Sequence, residues 1–405
     1  MKRSYESIIR DHFSELSQIA LLSGPRQVGK TTLAQSLLKT DQTVYLNWDD
    51  FDDRALILKG GCAIADFMGL DQLRDYKPLL IFDEIHKYGQ WKQTLKGFFD
   101  RYKDQCKILV TGSARMDVYK KGGDSLMGRY FNYRLHPFSV AEVLKSARQL
   151  LPGSDIVYKP QALPAGDYDA LLQWGGFPEP FIKQDQRFFN RWSRLRDQQL
   201  LREDIRVLTR VQELGQLEIL AILLKSQSGQ LTSYSNLAKK TRVSVDTIRR
   251  WTVILESLYY CFAIRPWTKN VTRSLLKEPK YYLWDWSQCT DIGARNENFI
   301  ASHLLKAVHA WTDRGMGEYQ LHFLRDKEKR EVDFLVSRNN KPWMMVEVKS
   351  SVQNKLSPHL QVFAKQLGVQ HVFQLGVEGD YIDADVFTIG RPIVVPAKTF
   401  LSQLV

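Results

Sequence analysis

A chain of 405 residues is long enough for two or three domains with cores of their own. Hydrophobic and charged contents of 44% and 25% are those of a globular protein and exclude a disordered one. No apolar run approaches the roughly 20 residues that span a bilayer, and a net charge of +12 points to a polyanionic partner, nucleic acid before others.

The start, Met1 to Glu6, is too polar to lead a secretory signal. The four cysteines lie far apart and form no C-x-x-C pair, so neither a zinc site nor a disulfide framework is expected. A cytoplasmic protein without membrane contact is the simplest expectation.

The first element is a short apolar run, Ile19 to Leu22, followed by Ser23-Gly24-Pro25-Arg26-Gln27-Val28-Gly29-Lys30-Thr31-Thr32. This segment fits G-x-x-x-x-G-K-[ST] at every specified position. Gly24 and Gly29 let the backbone wrap a polyphosphate, and the N–H groups of the loop turn inward upon it. Lys30 carries positive charge to the β- and γ-phosphates, and the Thr31 hydroxyl is placed to ligate Mg²⁺. Leu33 and Leu37 then share one face of a helix whose positive end meets the phosphates. The whole loop, Gly24 through Thr32, is the expected ATP-binding segment.

A second apolar run, Pro78 to Ile85, ends in Asp83-Glu84. Continuous hydrophobicity predicts a strand buried on both faces of a parallel sheet. Asp83 is expected to hold Mg²⁺ and Glu84 to orient the attacking water. A third strand, Lys107 to Ala114, ends in small polar residues, of which Thr111 or Ser113 is a candidate partner of the γ-phosphate or its water. Arg115 and Arg129 are candidates to reach a γ-phosphate in the same or a neighbouring subunit, and Tyr130 to Leu135 is a further expected strand.

The order G-P-R-Q-V-G-K-T-T, L-L-I-F-D-E-I, T-G-S-A, S-L-M-G-R, H-P-F-S-V-A-E and the later G-G-F-P-E resembles the AAA-type ATPases of prokaryotes that carry an uncharacterised nuclease-like C-terminal domain. The resemblance covers nearly the whole chain and implies a P-loop ATPase. AAA-type kinship also makes a homo-oligomer an expectation to test.

After a proline- and glycine-punctuated linker around 151–167, a helical region is expected over about 180–226. Arg187, Arg191, Arg194, Arg196, Arg202, Arg206 and Arg210 cluster there, either as a polyanion-binding face or as a solvated face paired with Glu203, Asp204 and Glu213. Residues 215–272 have the pattern of a winged helix-turn-helix. Leu217, Leu220, Ala221 and Leu224 keep helical spacing, Ser244 caps a third helix that buries Ile248, Trp251 and Leu255, and Tyr259 to Ile264 forms a wing strand. Lys240, Arg249 and Arg250 are candidates for DNA, although such folds also serve as protein joints.

Beyond it, Arg330 to Val336 and Met345 to Ser350 alternate with strand period two around a turn at Asn339-Asn340-Lys341. That hairpin sets Asp333 beside Glu347 with Lys349 on the same face. The constellation D…E-x-K resembles the PD-(D/E)xK nuclease core. The resemblance implies Asp333 and Glu347 as metal ligands, Lys349 as a catalytic residue that positions water or stabilises phosphate charge, and Glu297 as an added acid from a preceding helix.

The expected fold is therefore α/β: a P-loop parallel-sheet core over 1–150, a linker and helical region over 151–214, the winged helix over 215–272 and a nuclease-like mixed sheet over 273–405. Two functions stay open: an ATP-dependent DNA-processing enzyme, and an ATP-governed switch whose nuclease-like domain binds DNA or a protein without cutting.

Overall fold

A computed structural model describes residues 3–38, 43–112, 126–144, 157–164, 166–205, 213–268 and 277–405. Tertiary contacts divide the chain between His136 and Pro137 into two units.

In the N-terminal unit, five apolar segments form strands: β1 (Ile19–Ser23), β2 (Thr43–Asn47), β3 (Leu79–Asp83), β4 (Lys107–Gly112) and β5 (Tyr130–Arg134). They pair in the order β2-β3-β4-β1-β5, and every pair is parallel. β1 is buried along its whole length, which explains its uninterrupted hydrophobicity. Among the described residues five α-helices accompany the sheet: α1 (Ser4–Glu15), α2 (Lys30–Ser36), α3 (Phe51–Lys59), α4 (Gly61–Met68) and α5 (Trp91–Tyr102). Trp91, Leu95 and Phe98 of α5 join Leu21, Phe82 and Val110 of the sheet in one apolar core.

Because all five strands run the same way, their carboxyl ends collect along one edge. Ser23 stands opposite Gly112 and Asn47 opposite Asp83 in the register. This edge is where ligands bind in open parallel sheets.

The C-terminal unit begins with short helices, α6 (Val140–Val143), α7 (Asp167–Trp174), α8 (Pro178–Lys183) and α9 (Gln186–Gln198). Three more follow: α10 (Leu214–Ser226), α11 (Tyr234–Thr241) and α12 (Val245–Ser257). Ser244 caps α12 by accepting from the Thr247 N–H at 3.1 Å, and Ile248, Trp251 and Leu255 turn inward with Leu217, Leu220 and Leu224 of α10.

A seven-stranded mixed sheet completes the unit. Its strands are β6 (Cys261–Pro266), β7 (Lys280–Leu283), β8 (Tyr319–Arg325), β9 (Glu331–Arg338), β10 (Lys341–Ser351), β11 (His371–Glu378) and β12 (Ile393–Pro396), in the order β12-β11-β10-β9-β8-β6-β7. The long helix α13 (Ile292–Asp313) packs on this sheet, chiefly against β8 and β10. β6 pairs with β7 antiparallel and with β8 in parallel, so the hairpin that follows α12 belongs to the same sheet as β8 to β12. The observed class is α/β, with a parallel sheet, a helical middle and a mixed C-terminal sheet. Among the described residues no helix is long and apolar enough to cross a membrane.

Candidate functional site

The loop after β1 is shaped for a polyphosphate by its backbone. Gly24 has φ +154°, and a Cβ there would lie 2.4 Å from the Leu135 carbonyl oxygen, so no side chain fits. Gln27 and Gly29 have φ of 60° and 94°, and Gly29 precedes the first residue of α2. Val28 is fully buried and anchors the loop. Arg3, at the N-cap of α1, braces it from outside: its guanidinium donates to the Val28 carbonyl at 3.0 Å and to that of His136. Sequence patterning gave no sign of this brace, because Arg3 lies 25 residues from Val28 in a stretch without a motif.

Lys30 is folded back over its own loop, donating to the carbonyls of Gly24 at 3.0 Å and Pro25 at 2.7 Å. Burial pushes its ammonium down to about 8, against the opposing pull of Glu84 and Asp83. A charged group held only by backbone carbonyls in a buried place is ready to exchange them for phosphate oxygens. Pro25 is buried, Arg26 half-buried, and Gln27 exposed at the loop surface.

The Thr31 hydroxyl donates to Asp83 Oδ2 at 2.8 Å, joining the loop to the end of β3. A hydroxyl and a carboxylate in contact form a hard-oxygen pair of the kind that suits Mg²⁺. Two residues outside the motif complete the shell: Tyr45 donates to the same Oδ2 at 2.5 Å, and Thr111 donates to Oδ1. Burial, followed by the neighbouring Asp83, raises the Tyr45 hydroxyl well above its usual value and keeps it a donor. Thr111 therefore serves the carboxylate directly. Ser113 and Arg115 lie outside the described residues.

Glu84 takes a left-handed backbone conformation, φ 56°, which a non-glycine residue adopts at a cost and which turns its side chain off the line of the strand. Its Oε2 is 3.4 Å from Lys87 Nζ and 3.7 Å from His86 Nε2. His86 is buried, at 5% exposure.

Arg129 is not at this site. It precedes β5, at the amino end of the sheet, where its carbonyl accepts from the Ile19 N–H. The loop leaves the other end of β1, about 3.3 Å per residue away along five residues. Its guanidinium grips Asp100 of α5 through two bonds, at 2.7 and 3.0 Å. An arginine finger toward the loop of its own chain is corrected to a partner of α5.

In the C-terminal unit the hairpin turns tightly at Asn339-Asn340, both with positive φ, as a two-residue turn requires. The β9–β10 register runs from Arg338↔Lys341 to Phe334↔Val346, so Asp333 and Glu347 follow as the next opposed positions. The Val348 N–H donates to Asp333 Oδ2 at 2.8 Å, and Lys349 Nζ donates to Glu347 Oε1 at 2.8 Å. Burial, then Glu297 and Glu347, raises the Asp333 carboxyl well above the carboxylate range. Burial opposes the charge of Lys349, yet Glu347, Asp333 and Glu297 together raise it.

The other Glu347 oxygen, Oε2, is buried without a hydrogen-bond partner. An orphaned carboxylate oxygen beside the half-buried Asp333 carboxylate fits a divalent cation by its donor chemistry. Glu297 of α13 faces the same group but is engaged: its Oε1 accepts from Tyr282 at 2.6 Å and Lys280 at 3.4 Å. Lys280 also lies 2.6 Å from Glu331 Oε1. Neither β7 residue stood out in the sequence, since Lys280 and Tyr282 meet the site only through strand order.

The basic helix is divided. Arg187, Arg191 and Arg194 lie on one face of α9, at the i, i+4, i+7 spacing. Arg196 instead is buried, 4.2 Å over the Phe177 ring and 3.8 Å from Asp285, and Arg202 pairs with Glu218 at 2.7 Å. Arg196 leaves the candidate polyanion face, and Arg202 stays exposed beside Glu218. Arg206 and Arg210 lie outside the described residues. Lys240, Arg249 and Arg250 are exposed.

Residues 16–144 match a family model described as an AAA domain. The N-terminal unit carries an AAA-type P-loop domain. Residues 165–292 and 292–394 match two families described only as domains of unknown function, DUF8612 and DUF4143. Two curated proteins, uncharacterized protein Rv2008c of Mycobacterium tuberculosis and uncharacterized protein Mb2031c of Mycobacterium bovis, are each 22% identical over 340 residues, which cover 80% of this chain and 69% of theirs. Among solved structures, the Walker-type ATPase PABY2304 of Pyrococcus abyssi is 16% identical, with a TM-score of 0.45 over 72% of this chain and 95% of that one. The ORC1 protein of Aeropyrum pernix in complex with DNA is 13% identical, with a TM-score of 0.32 over 74% and 93%.

Proposed function

We propose that this chain is an MgATP-hydrolysing protein that acts on DNA, with a metal-dependent nuclease-like site in its C-terminal unit. The observation that carries the ATPase reading is the bond from Thr31 to Asp83, which brings together the phosphate loop, the metal carboxylate and Glu84 at one sheet edge. In this reading Thr31 and Asp83 would hold Mg²⁺, which supplies charge neutralisation on the phosphates. Lys30 gives up the Gly24 and Pro25 carbonyls for phosphate oxygens. Glu84 orients a water toward the γ-phosphorus and takes its proton as the bond to the leaving oxygen breaks.

The DNA reading is supported by the net charge, by the exposed Arg249 and Arg250 on a capped third helix, and by the strand pair β6–β7 that follows it in winged-helix order. The cleavage reading is supported by Asp333, Glu347 and Lys349 on adjoining strand ends. Asp333 and Glu347 would hold the divalent ion, and Lys349 would steady charge on the scissile phosphate. We divide the work of the chain at 150, 214 and 272, with the winged-helix part and the nuclease-like part sharing one sheet.

A second reading, a switch that binds without cutting, is favoured by one observation. Lys280 already answers part of the negative charge at the site, 2.6 Å from Glu331 and 3.4 Å from Glu297. The deciding experiment incubates purified protein with labelled single- and double-stranded DNA, with ATP and Mg²⁺ each present or absent. Metal-dependent cutting supports the enzyme. ATP turnover and DNA binding without any cut support the switch. If no ATP turnover is seen, or if Lys30→Ala leaves it undiminished, both readings are overturned.

A further inference from the structure

We infer that the nuclease-like site takes one divalent cation, on Asp333 and Glu347, and that Lys280 is built in as the cation of Glu297. The inference rests on reading the site as metal-binding. It separates Glu297 from the ligand set in which the sequence placed it.

The two halves of the acidic cluster are in different states. On one side, Glu297 and Glu331 are satisfied by protein. Glu297 Oε1 accepts from the Tyr282 hydroxyl at 2.6 Å and from Lys280 at 3.4 Å. Glu331 Oε1 lies 2.6 Å from Lys280, and its Oε2 lies 2.5 Å from Arg325. The Lys280 side chain is only 5% exposed. A buried ammonium needs paired carboxylates: Glu297 and Glu331 are in contact with Lys280, and Asp333 adds its charge from farther off. On the other side, Glu347 is 7% exposed with Oε2 unpartnered, and Asp333 Oδ2 is met by the Val348 backbone N–H. The unpartnered Glu347 Oε2 is where an ion gains most.

Counting ligands leads the same way. Among the described residues no group of three or more His, Cys, Asp or Glu side chains is placed to hold an ion jointly. Mg²⁺ and Mn²⁺ sites with two carboxylates, completed by water and substrate phosphate, are ordinary. Lys280 then occupies the place of a second ion. It comes from β7, the far strand of the hairpin after α12, while Glu297 comes from α13. Lys280 is thus a positioning residue that fixes Glu297 and Glu331 and limits the site to one ion.

The test is Mn²⁺ titration of the full chain without nucleotide, counting bound ions by calorimetry and by the electron spin resonance signal of free Mn²⁺. The wild type should bind one ion in the C-terminal unit, and Asp333→Asn should lose it. Glu297→Gln should keep that ion with its affinity nearly unchanged, whereas Asp333→Asn, which removes a ligand, should abolish it. Lys280→Met should raise the count to two, and Lys280→Arg should restore one. A tenfold loss in Glu297→Gln, or two ions lost together in Asp333→Asn, overturns the inference while leaving the metal site standing. No ion in the wild type, or an undiminished one in Asp333→Asn, overturns the metal reading and the inference with it. Glu297→Gln removes no buried cation, so it decides the matter even where Lys280→Met does not fold.

Discussion

Lys30 is the residue on which most depends, and its surroundings give it a pH signature. Burial brings its ammonium from an ordinary 10.5 to about 8. The folded value lies below the unfolded one, so the unfolded chain holds more protons between them. Stability is therefore lowered by Lys30 at any pH below about 8 and recovers as pH climbs toward 10.5. Phosphates reverse the balance by favouring the charged form. ATP binding near pH 9 should take up a proton, seen as a binding enthalpy that varies with the ionisation enthalpy of the buffer; an enthalpy independent of buffer would refute it. Lys30→Ala should abolish nucleotide binding. Glu84→Gln should bind ATP normally and turn over about 10²- to 10⁴-fold more slowly, as loss of a general base does; equal turnover would remove Glu84 from that role. Asp333 has the opposite displacement, with a folded value well above the unfolded one. A metal must displace its proton, so Mn²⁺ affinity should rise with pH until Asp333 is ionised, and a flat profile would argue against Asp333 as a ligand.

Among the elements, the β9–β10 hairpin and the helix α12 make separable predictions. Asn339 and Asn340, with φ of 50° and 63°, set the register that opposes Asp333 to Glu347. Asn340→Gly should leave stability nearly unchanged. Asn340→Val should cost about 1–2 kcal/mol in denaturant unfolding, because a β-branched side chain resists the left-handed region. In α12, Trp251 is fully buried and Arg249 and Arg250 are exposed. Trp251→Ala should destabilise the C-terminal unit by about 3–5 kcal/mol. Changing both arginines to alanine should spare stability and lower the log–log salt slope of duplex binding by about 0.9 for each phosphate no longer neutralised. Unchanged affinity across salt concentrations would make the three-helix segment a protein joint. These elements were legible because each has a local cause: a positive-φ pair, a serine cap, a 3.6-residue apolar period.

In the molecule as a whole the phosphate loop and the acidic cluster belong to different compact units. Asp333→Ala should leave ATP turnover in place while removing Mn²⁺ binding, and a variant that loses both would point to shared folding rather than separate sites. What the sequence by itself determined is what is contiguous: the loop Gly24 to Thr32, the strand ending in Asp83-Glu84, and a hairpin whose period sets Glu347 and Lys349 on one face. What only the tertiary structure decided is which distant side chains complete those sites. Tyr45 and Thr111 reach Asp83, Arg3 braces Val28, and Lys280 sits between Glu297 and Glu331. It also withdrew Arg129 to Asp100 and Arg196 to the Phe177 ring. A charged residue has no periodicity that names its partner. The partner follows from strand order and from the cost of leaving a buried charge alone, and both exist only once the sheets are assembled.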